Sequence, residues 1–355
     1  MDHAFGRGDP FTVGIEEELL LVAPPEHGLS HDAERVLDAI DRSGPWEADH
    51  EAYACEIELR SPPAAAPGEA VATLGAARSA ARTAGATTIG AGLHPAAARG
   101  EVELVRSERY ALVEDSMRGL IRRTPECALH VHVGIPDIDT AIRVFNGMRE
   151  RLPLLQALAA NSPWWYGQDS GMASARGAVV RAYPGRGVPR PLRDPEDYEA
   201  ALAATAAGGG PRDYTLVWWD VRPHPRLGTV EVRELDAQSS LRDVAALAAL
   251  VQALARLETE SAREIAPTEA ISWSAFHAAR DGLDAEVLAD GRLLPVREAA
   301  REALTAARPH SPEPEALDEV ERLVREGGGA DRRRAAYRRG GMRAMLDELV
   351  AETAA

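Results

Sequence analysis

The chain has 355 residues, 45% of them hydrophobic, and a formal net charge of −16; such a surplus of acid argues against a general nucleic-acid binder, which needs a concentrated positive surface. All 40 basic residues are arginine, which excludes mechanisms built on a Walker, protein-kinase or Schiff-base lysine. The length suits a sizeable core, and one catalytic domain over 1–355 is favoured over two, with a polar tail at 1–10 and a mainly helical part at 265–355.

Met1 to Pro10 is polar and glycine-containing, and no stretch approaches the roughly eighteen consecutive apolar residues of a membrane span. A cytoplasmic protein, neither secreted nor membrane-bound, is expected. Phe11 to Val22 reads as a strand stopped by Pro24-Pro25, and a second strand is expected around Tyr53 to Ser61. The two cysteines, Cys55 and Cys127, lack CxxC spacing and read as small core residues. From Pro67 to about Ala86 the spacing of Val71, Leu74 and Ala77 predicts a packed helix. A short strand follows at Thr87 to Leu93, then a helix at Ser107 to Arg122, a strand at Cys127 to Ile135 and a long amphipathic helix at Asp139 to Leu158.

Asn161 to Leu192 is rich in glycine, proline and aromatics with little periodicity, and a loop of that length inside a domain is commonly functional. It could close over a site, while Trp164, Trp165 and Tyr166 equally suit internal packing or an oligomer contact. Strands at Thr215 to Asp220 and Gly228 to Leu235 precede a helix from Ser240 to about Glu264, and Gly327-Gly328-Gly329 breaks the helical remainder before an Arg-rich last helix. Strands come early and without a regular βαβ alternation, so the class expected is α+β with an antiparallel sheet.

Side chains alternate across a strand, and four strands here repeat one pattern. Glu16 and Glu18 oppose Val13, Ile15 and Leu19; Glu56 and Glu58 oppose Cys55, Ile57 and Leu59; His130 and His132 oppose valines; Glu231 and Arg233 oppose valines again. Glu17 falls on the apolar side and requires exposure or an arginine partner. With helices behind the apolar face, the gathered carboxylates repel one another unless cations bind among them. A donor set rich in carboxylate oxygen suits Mg²⁺ or Mn²⁺ better than tetrahedral zinc. Divalent ions, nearby arginines and no lysine describe a nucleoside triphosphate site in which catalysis rests on position and charge neutralisation. No GxxxxGK[ST] is present, so nucleotide binding would be sheet-based.

These residues resemble the carboxylate-amine ligases of the type 2 glutamate-cysteine ligase group, the YbdK-like proteins. The resemblance is carried by Phe11 to Glu18, the Glu51 and Glu58 pair, Leu129 to Gly134, Ala173 to Arg176 with Gly187 to Pro189, and Val217 to Asp236. It implies a glutamine-synthetase-like sheet with helices on one face and a metal-nucleotide site on the other. It also implies that Glu16, Glu18, Glu51, Glu58, His130 and Glu231 are metal ligands for Mg²⁺ or Mn²⁺, although strict alternation puts Glu51 and Glu58 on opposite faces, so Glu51 needs a bend in the chain. His132 and Arg233 would meet ATP phosphates, and Arg176 and Arg222 would meet an acyl phosphate or a substrate carboxylate, where bidentate geometry favours arginine.

The reaction expected is ATP-dependent amide formation from a small carboxylate and an amine through an acyl phosphate. Two other readings use the same arrangement: a phosphotransferase without ligation, and a non-catalytic Mg-ATP sensor. No nucleic-acid or membrane partner is expected, and base rates leave a homo-oligomer open.

Overall fold

The computed structural model describes residues 2–260 and 265–355. In chain order it forms strands β1 (Val13–Ala23) and β2 (Gly28–Leu29), helix α1 (Ala33–Ala39), strands β3 (Glu47–His50) and β4 (Glu56–Arg60), helix α2 (Pro67–Thr83) and strand β5 (Thr88–Ile89). Helix α3 (Glu108–Met117), strand β6 (Ala128–Gly134) and helix α4 (Ile138–Ala159) follow. A small hairpin β7 (Trp164–Trp165) and β8 (Gln168–Asp169) leads to helices α5 (Ala175–Val179) and α6 (Pro195–Ala207). Strands β9 (Val221–His224) and β10 (Thr229–Asp236) and helix α7 (Leu241–Glu258) complete the central part. Beyond it come α8 (Thr268–Asp281), the hairpin β11 (Glu286–Ala289) and β12 (Arg292–Pro295), α9 (Val296–Ala307), α10 (Asp318–Glu326) and α11 (Gly329–Ala354), the last broken at Gly340–Gly341.

The main sheet runs β3-β4-β1-β6-β10-β9, with β2 and β5 also on β1, and every pairing is antiparallel. The α+β class and the antiparallel sheet are as expected. Helices α2, α4 and α7 cover one face, where Ile15, Leu19, Ile57, Leu59, Val131 and Val232 join the core. Burial of apolar side chains on that face drives its assembly, at roughly 25 cal/mol per Å² removed from water. The alternating residues are thereby fixed on the other face. Glu17, the exception, is paired within the core: Arg78 of α2 donates Nε to its Oε1 (2.9 Å) and Nη2 to its Oε2 (2.6 Å). Among the described residues no helix is long and apolar enough to cross a membrane.

Several expectations are corrected. The strand placed at Thr215–Asp220 is a turn at Tyr214–Leu216, and the pairing strand is Val221–His224, because Arg222 Nη1 holds the carbonyls of Tyr214, Thr215 and Val217 in a loop. The strand at Thr87–Leu93 shrinks to two residues. Sequence reasoning missed β3, which pairs with β4 from Glu47 to His50. The helix from Ser240 ends at Glu258, and its expected far end at 261–264 lies outside the described residues. The 161–192 stretch is no open loop: Trp164 is buried with its ring 4.7 Å from that of Tyr337, and Ser162 and Ser174 bond Asp236. Of the uses considered for its aromatics, Trp164 takes internal packing. Both cysteines are free and buried.

Candidate active site

Strand register brings the polar residues together. Glu18 lies directly across from Glu58, Glu16 from His130, and Glu231 from both His132 and Arg222. Strict alternation would put Glu51 on the far face from Glu58, but the chain turns between the end of β3 and Glu56, with Tyr53 bridging to Leu104. That bend delivers Glu51 to the same side. Ligand atoms of Glu18, Glu51 and Glu58 then lie within 4.8 Å of one another, as do those of Glu16, His132 and Glu231.

The two triads differ in charge. In the second, burial works to raise the carboxyls, yet His132 and His130 hold Glu16, and Arg222 and Arg233 hold Glu231, well below the usual range. Arg222 donates Nε to Glu231 Oε2 at 2.6 Å, and Arg233 Nη1 contacts Glu231 Oε1. In the first triad, burial and the neighbouring Glu51 push Glu18 up to about 8, and burial with Glu16 pushes Glu58 well up despite its contact with Arg60. Burial also raises Glu51. Three carboxyls without sufficient positive charge are a site short of a cation.

His130 stands between the triads, with Nδ1 3.3 Å from Glu16 Oε2 and Nε2 3.9 Å from Glu18 Oε1. Burial and Arg233 lower it to about 3, so it is a neutral imidazole able to act as a ligand. His132 Nε2 is buried 3.4 Å from Glu16 Oε1 and 3.7 Å from Glu231 Oε1, while Arg233 Nε has no hydrogen bond among the described residues. Beneath the first triad, the Cys127 thiol donates to Glu56 Oε1 (2.9 Å).

Arg176 is fully buried rather than on a loop surface. Asp236 accepts from Asn161 N, Ser162 Oγ and Ser174 Oγ at 2.7–2.9 Å, and Ser174 caps α5. Gly92 makes room for this carboxylate, since a Cβ there would come 2.6 Å from Asp236 Cγ. Arg176 Nε donates to Glu126 Oε2 at 2.7 Å, a partner the sequence did not reveal. Arg222 has its donors engaged by Glu231 and three carbonyls, so it braces a carboxylate instead of offering a free fork.

Three cavities adjoin this face. The largest, about 970 Å³, contains Glu16, Glu18, Glu51, Glu58, Arg222 and Arg233. A deeper pocket of about 90 Å³ leads from Glu18 and His130 toward Arg176, Tyr183 and Arg186. On the Glu16 and His132 side lies one of about 540 Å³ walled by Pro62, Pro63, Ile135 and Leu227. Ser107 caps α3 and so places Arg109 and Tyr110 in its first turn over the largest cavity. Arg109 is exposed, and among the described residues no side-chain hydrogen bond or ion pair holds it.

The family model "Glutamate-cysteine ligase family 2 (GCS2)" matches residues 12–352. The chain belongs to that family. It is 37% identical over 371 residues to "Putative glutamate–cysteine ligase 2-3" of Rubrobacter xylanophilus, covering 100% of both chains. It is 35% identical over 292 residues to a glutamate–cysteine ligase of Natronomonas pharaonis, covering 78% of this chain and 79% of the relative. Its fold is similar to that of a glutamate–cysteine ligase of Francisella tularensis solved in complex with AMP, at a TM-score of 0.68 and 14% identity, covering 100% of this chain and 90% of the other. As a member of glutamate-cysteine ligase family 2, the chain is a carbon–nitrogen ligase of the carboxylate–amine type.

Proposed function

We propose that this ligase uses Mg-ATP or Mn-ATP to convert a small carboxylate to an acyl phosphate, which an amine then attacks to give an amide, ADP and phosphate. Glutamate and cysteine, the pair in the relatives' names, are the first substrates to test. The observation that carries the reading is the meeting of two ligand triads on one sheet face, one short of positive charge, between cavities of about 970 and 540 Å³.

The donor set fits the implied ion: oxygen-rich and buried, with the ligand atoms of each triad within 4.8 Å of one another. Glu18, Glu51 and Glu58 would hold one cation, Glu16, His132 and Glu231 a second, and His130 either. When bound, such ions neutralise the triphosphate and the developing charge on the transferred phosphoryl group. The chain's own groups do the rest. The apolar walls at Pro62, Pro63, Ile135 and Leu227 suit a nucleoside base next to the Glu16 triad. Arg233, whose Nε is unpartnered, and His132 face the phosphate path, and Arg222 keeps Glu231 in place. Arg176, rigid on Glu126 at the head of the deep pocket, stabilises negative charge on the acyl phosphate without reorganising. The uncommitted Arg109 takes a carboxylate of the incoming substrate. One catalytic domain over 1–355, cytoplasmic placement and small-molecule partners belong to the same proposal.

The test is ADP release with glutamate and cysteine, singly and together, products read by mass, with ¹⁸O in the substrate carboxylate. Dependence of amide formation on both substrates, with ¹⁸O appearing in phosphate, is expected. ADP release that ignores every amine and leaves a stable phosphorylated acid would overturn it in favour of a phosphotransferase, and Mg-ATP binding with no turnover across a broad amino-acid screen in favour of a sensor.

A further inference from the structure

Behind the active face, α4, α5 and α8 border a separate cavity of about 290 Å³, near the lower end of small-molecule sites. One wall is Gln156 of α4, only 2% exposed, with neither carboxamide atom, Oε1 or Nε2, partnered among the described residues. Leaving a buried amide unbonded costs about 1–3 kcal/mol, so its retention at this position asks for a ligand. The space exists because two wall residues are glycines: a Cβ on Gly177 would come 2.3 Å from Gln156 Nε2, and one on Gly187 2.9 Å from Arg181 Nη1.

Arg181 and Arg186 form another wall. Arg181 reaches Asp220 Oδ2 at 2.9 Å and Glu234 Oε1 at 3.3 Å, while Arg186 reaches Asp220 Oδ1 at 3.3 Å and Glu234 Oε2 at 4.0 Å. Burial and the adjacent Asp220 push Glu234 up to about 8. The cavity is lined by Arg181 and Arg186 and not by the carboxylates behind them, so the cationic side of this group of four faces the space. The rest of the lining is apolar, with Val188, Ala275 and Phe276; Phe276 is 44% exposed and sits edge-on to Trp273, which is 67% exposed.

A cationic wall, an unbonded carboxamide and an apolar mouth complement a carboxylate, a secondary amide and a hydrocarbon side chain in one molecule. We propose that this cavity is an effector site for a small N-acylamino carboxylate, linked to the active pocket through Arg186. Arg186 lines both cavities and donates Nη2 to the carbonyl of Arg233 at 3.3 Å. A ligand that draws on its guanidinium therefore shifts the backbone support of a residue on the reacting face, and the coupling is reciprocal.

The probe is N-acetyl-leucine, titrated calorimetrically into the whole protein and added to assays of Mg-ATP turnover. Saturable binding is expected, persisting when ligase substrates are saturating and at least about tenfold weaker in Gln156→Leu, because the ligand's amide loses its partner. That substitution removes an unbonded buried amide at similar volume, so the variant should melt no lower than the parent. Ser272→Trp, at the half-buried rim, should block binding by filling the opening. No binding, equal affinity in both variants, or displacement by glutamate and cysteine overturns the site. A change in kcat or KM with N-acetyl-leucine in the parent but not in Gln156→Leu is expected, and unchanged kinetics at saturation overturns the link through Arg186. Calorimetry needs no turnover, so failure here is distinguishable from failure of the acyl-phosphate proposal.

Discussion

Glu18 and Glu58 face each other directly across β1 and β4, two carboxylates at one rung of an antiparallel ladder. Like charges so placed are destabilising, and Glu51 adds a third beside them. Replacing Glu58 by Gln should therefore leave the metal-free protein as stable as before or more so. Turnover should fall at least about a hundredfold and the rise in melting temperature on adding Mg²⁺ should shrink. Calorimetric melts with and without Mg²⁺ check this; a full Mg²⁺ shift in Glu58→Gln removes that residue from cation binding.

The same crowding predicts a pH dependence. Glu18 titrates near 8 in the folded protein, raised by burial and then Glu51, against an ordinary 4.5. The folded state thus binds more protons than the unfolded one between those values, and stability falls as pH rises through that window. Buried His94 and His130 and half-buried His224, lowered by desolvation, oppose the trend only below their ordinary 6.5. From pH about 7 to about 9 the metal-free protein should lose several degrees of melting temperature, and saturating Mg²⁺ should restore part of the loss. Glu234 also titrates near 8, away from the triads, so its share should persist with Mg²⁺ and disappear in Glu234→Gln. A flat profile without metal contradicts the assignment.

Arg78 and Glu17 form a bidentate pair buried between α2 and the sheet. Arg78→Ala strands a carboxylate in the core and should cost about 3–5 kcal/mol, while the double change Glu17→Leu with Arg78→Met should recover most of it. Urea denaturation of the three proteins decides; a loss of under about 1 kcal/mol in the single variant means that water reaches Glu17.

Arg109 is an exposed cation over the main cavity, and among the described residues no ion pair holds it. Arg109→Ala should raise KM for the acidic substrate about ten- to a hundredfold, the worth of one charged contact, with a smaller effect on kcat. Steady-state kinetics with glutamate varied tests this, and an unchanged KM assigns that carboxylate to another residue.

Much of the site was legible because a period of two is rigid. Once Ile15, Ile57, Val131 and Val232 are assigned to the core, Glu16, Glu18, Glu58, His130 and Glu231 have nowhere else to point. Residues placed by bends and helices were harder. Glu51 required the motif because alternation put it on the wrong face. Arg78 left a readable trace: it interrupts the apolar stripe of α2 four residues after Leu74. Glu126 and Arg109 left none, since each reaches the site through the long-range approach of segments that share no local pattern. The stretch from Thr215 to Trp219 misled because its residues favour strands, whereas the carbonyls of Thr215 and Val217 are taken up by Arg222.

Two of the three crowded carboxylates, Glu18 and Glu58, are locked by ladder register, but Glu51 sits on the connecting bend between β3 and β4. The spacing of the trio is thus adjustable from one side only. Selectivity between ions of different radius can drift during evolution, or be engineered, by altering the length and stiffness of residues 51–55 while every ligand stays unchanged.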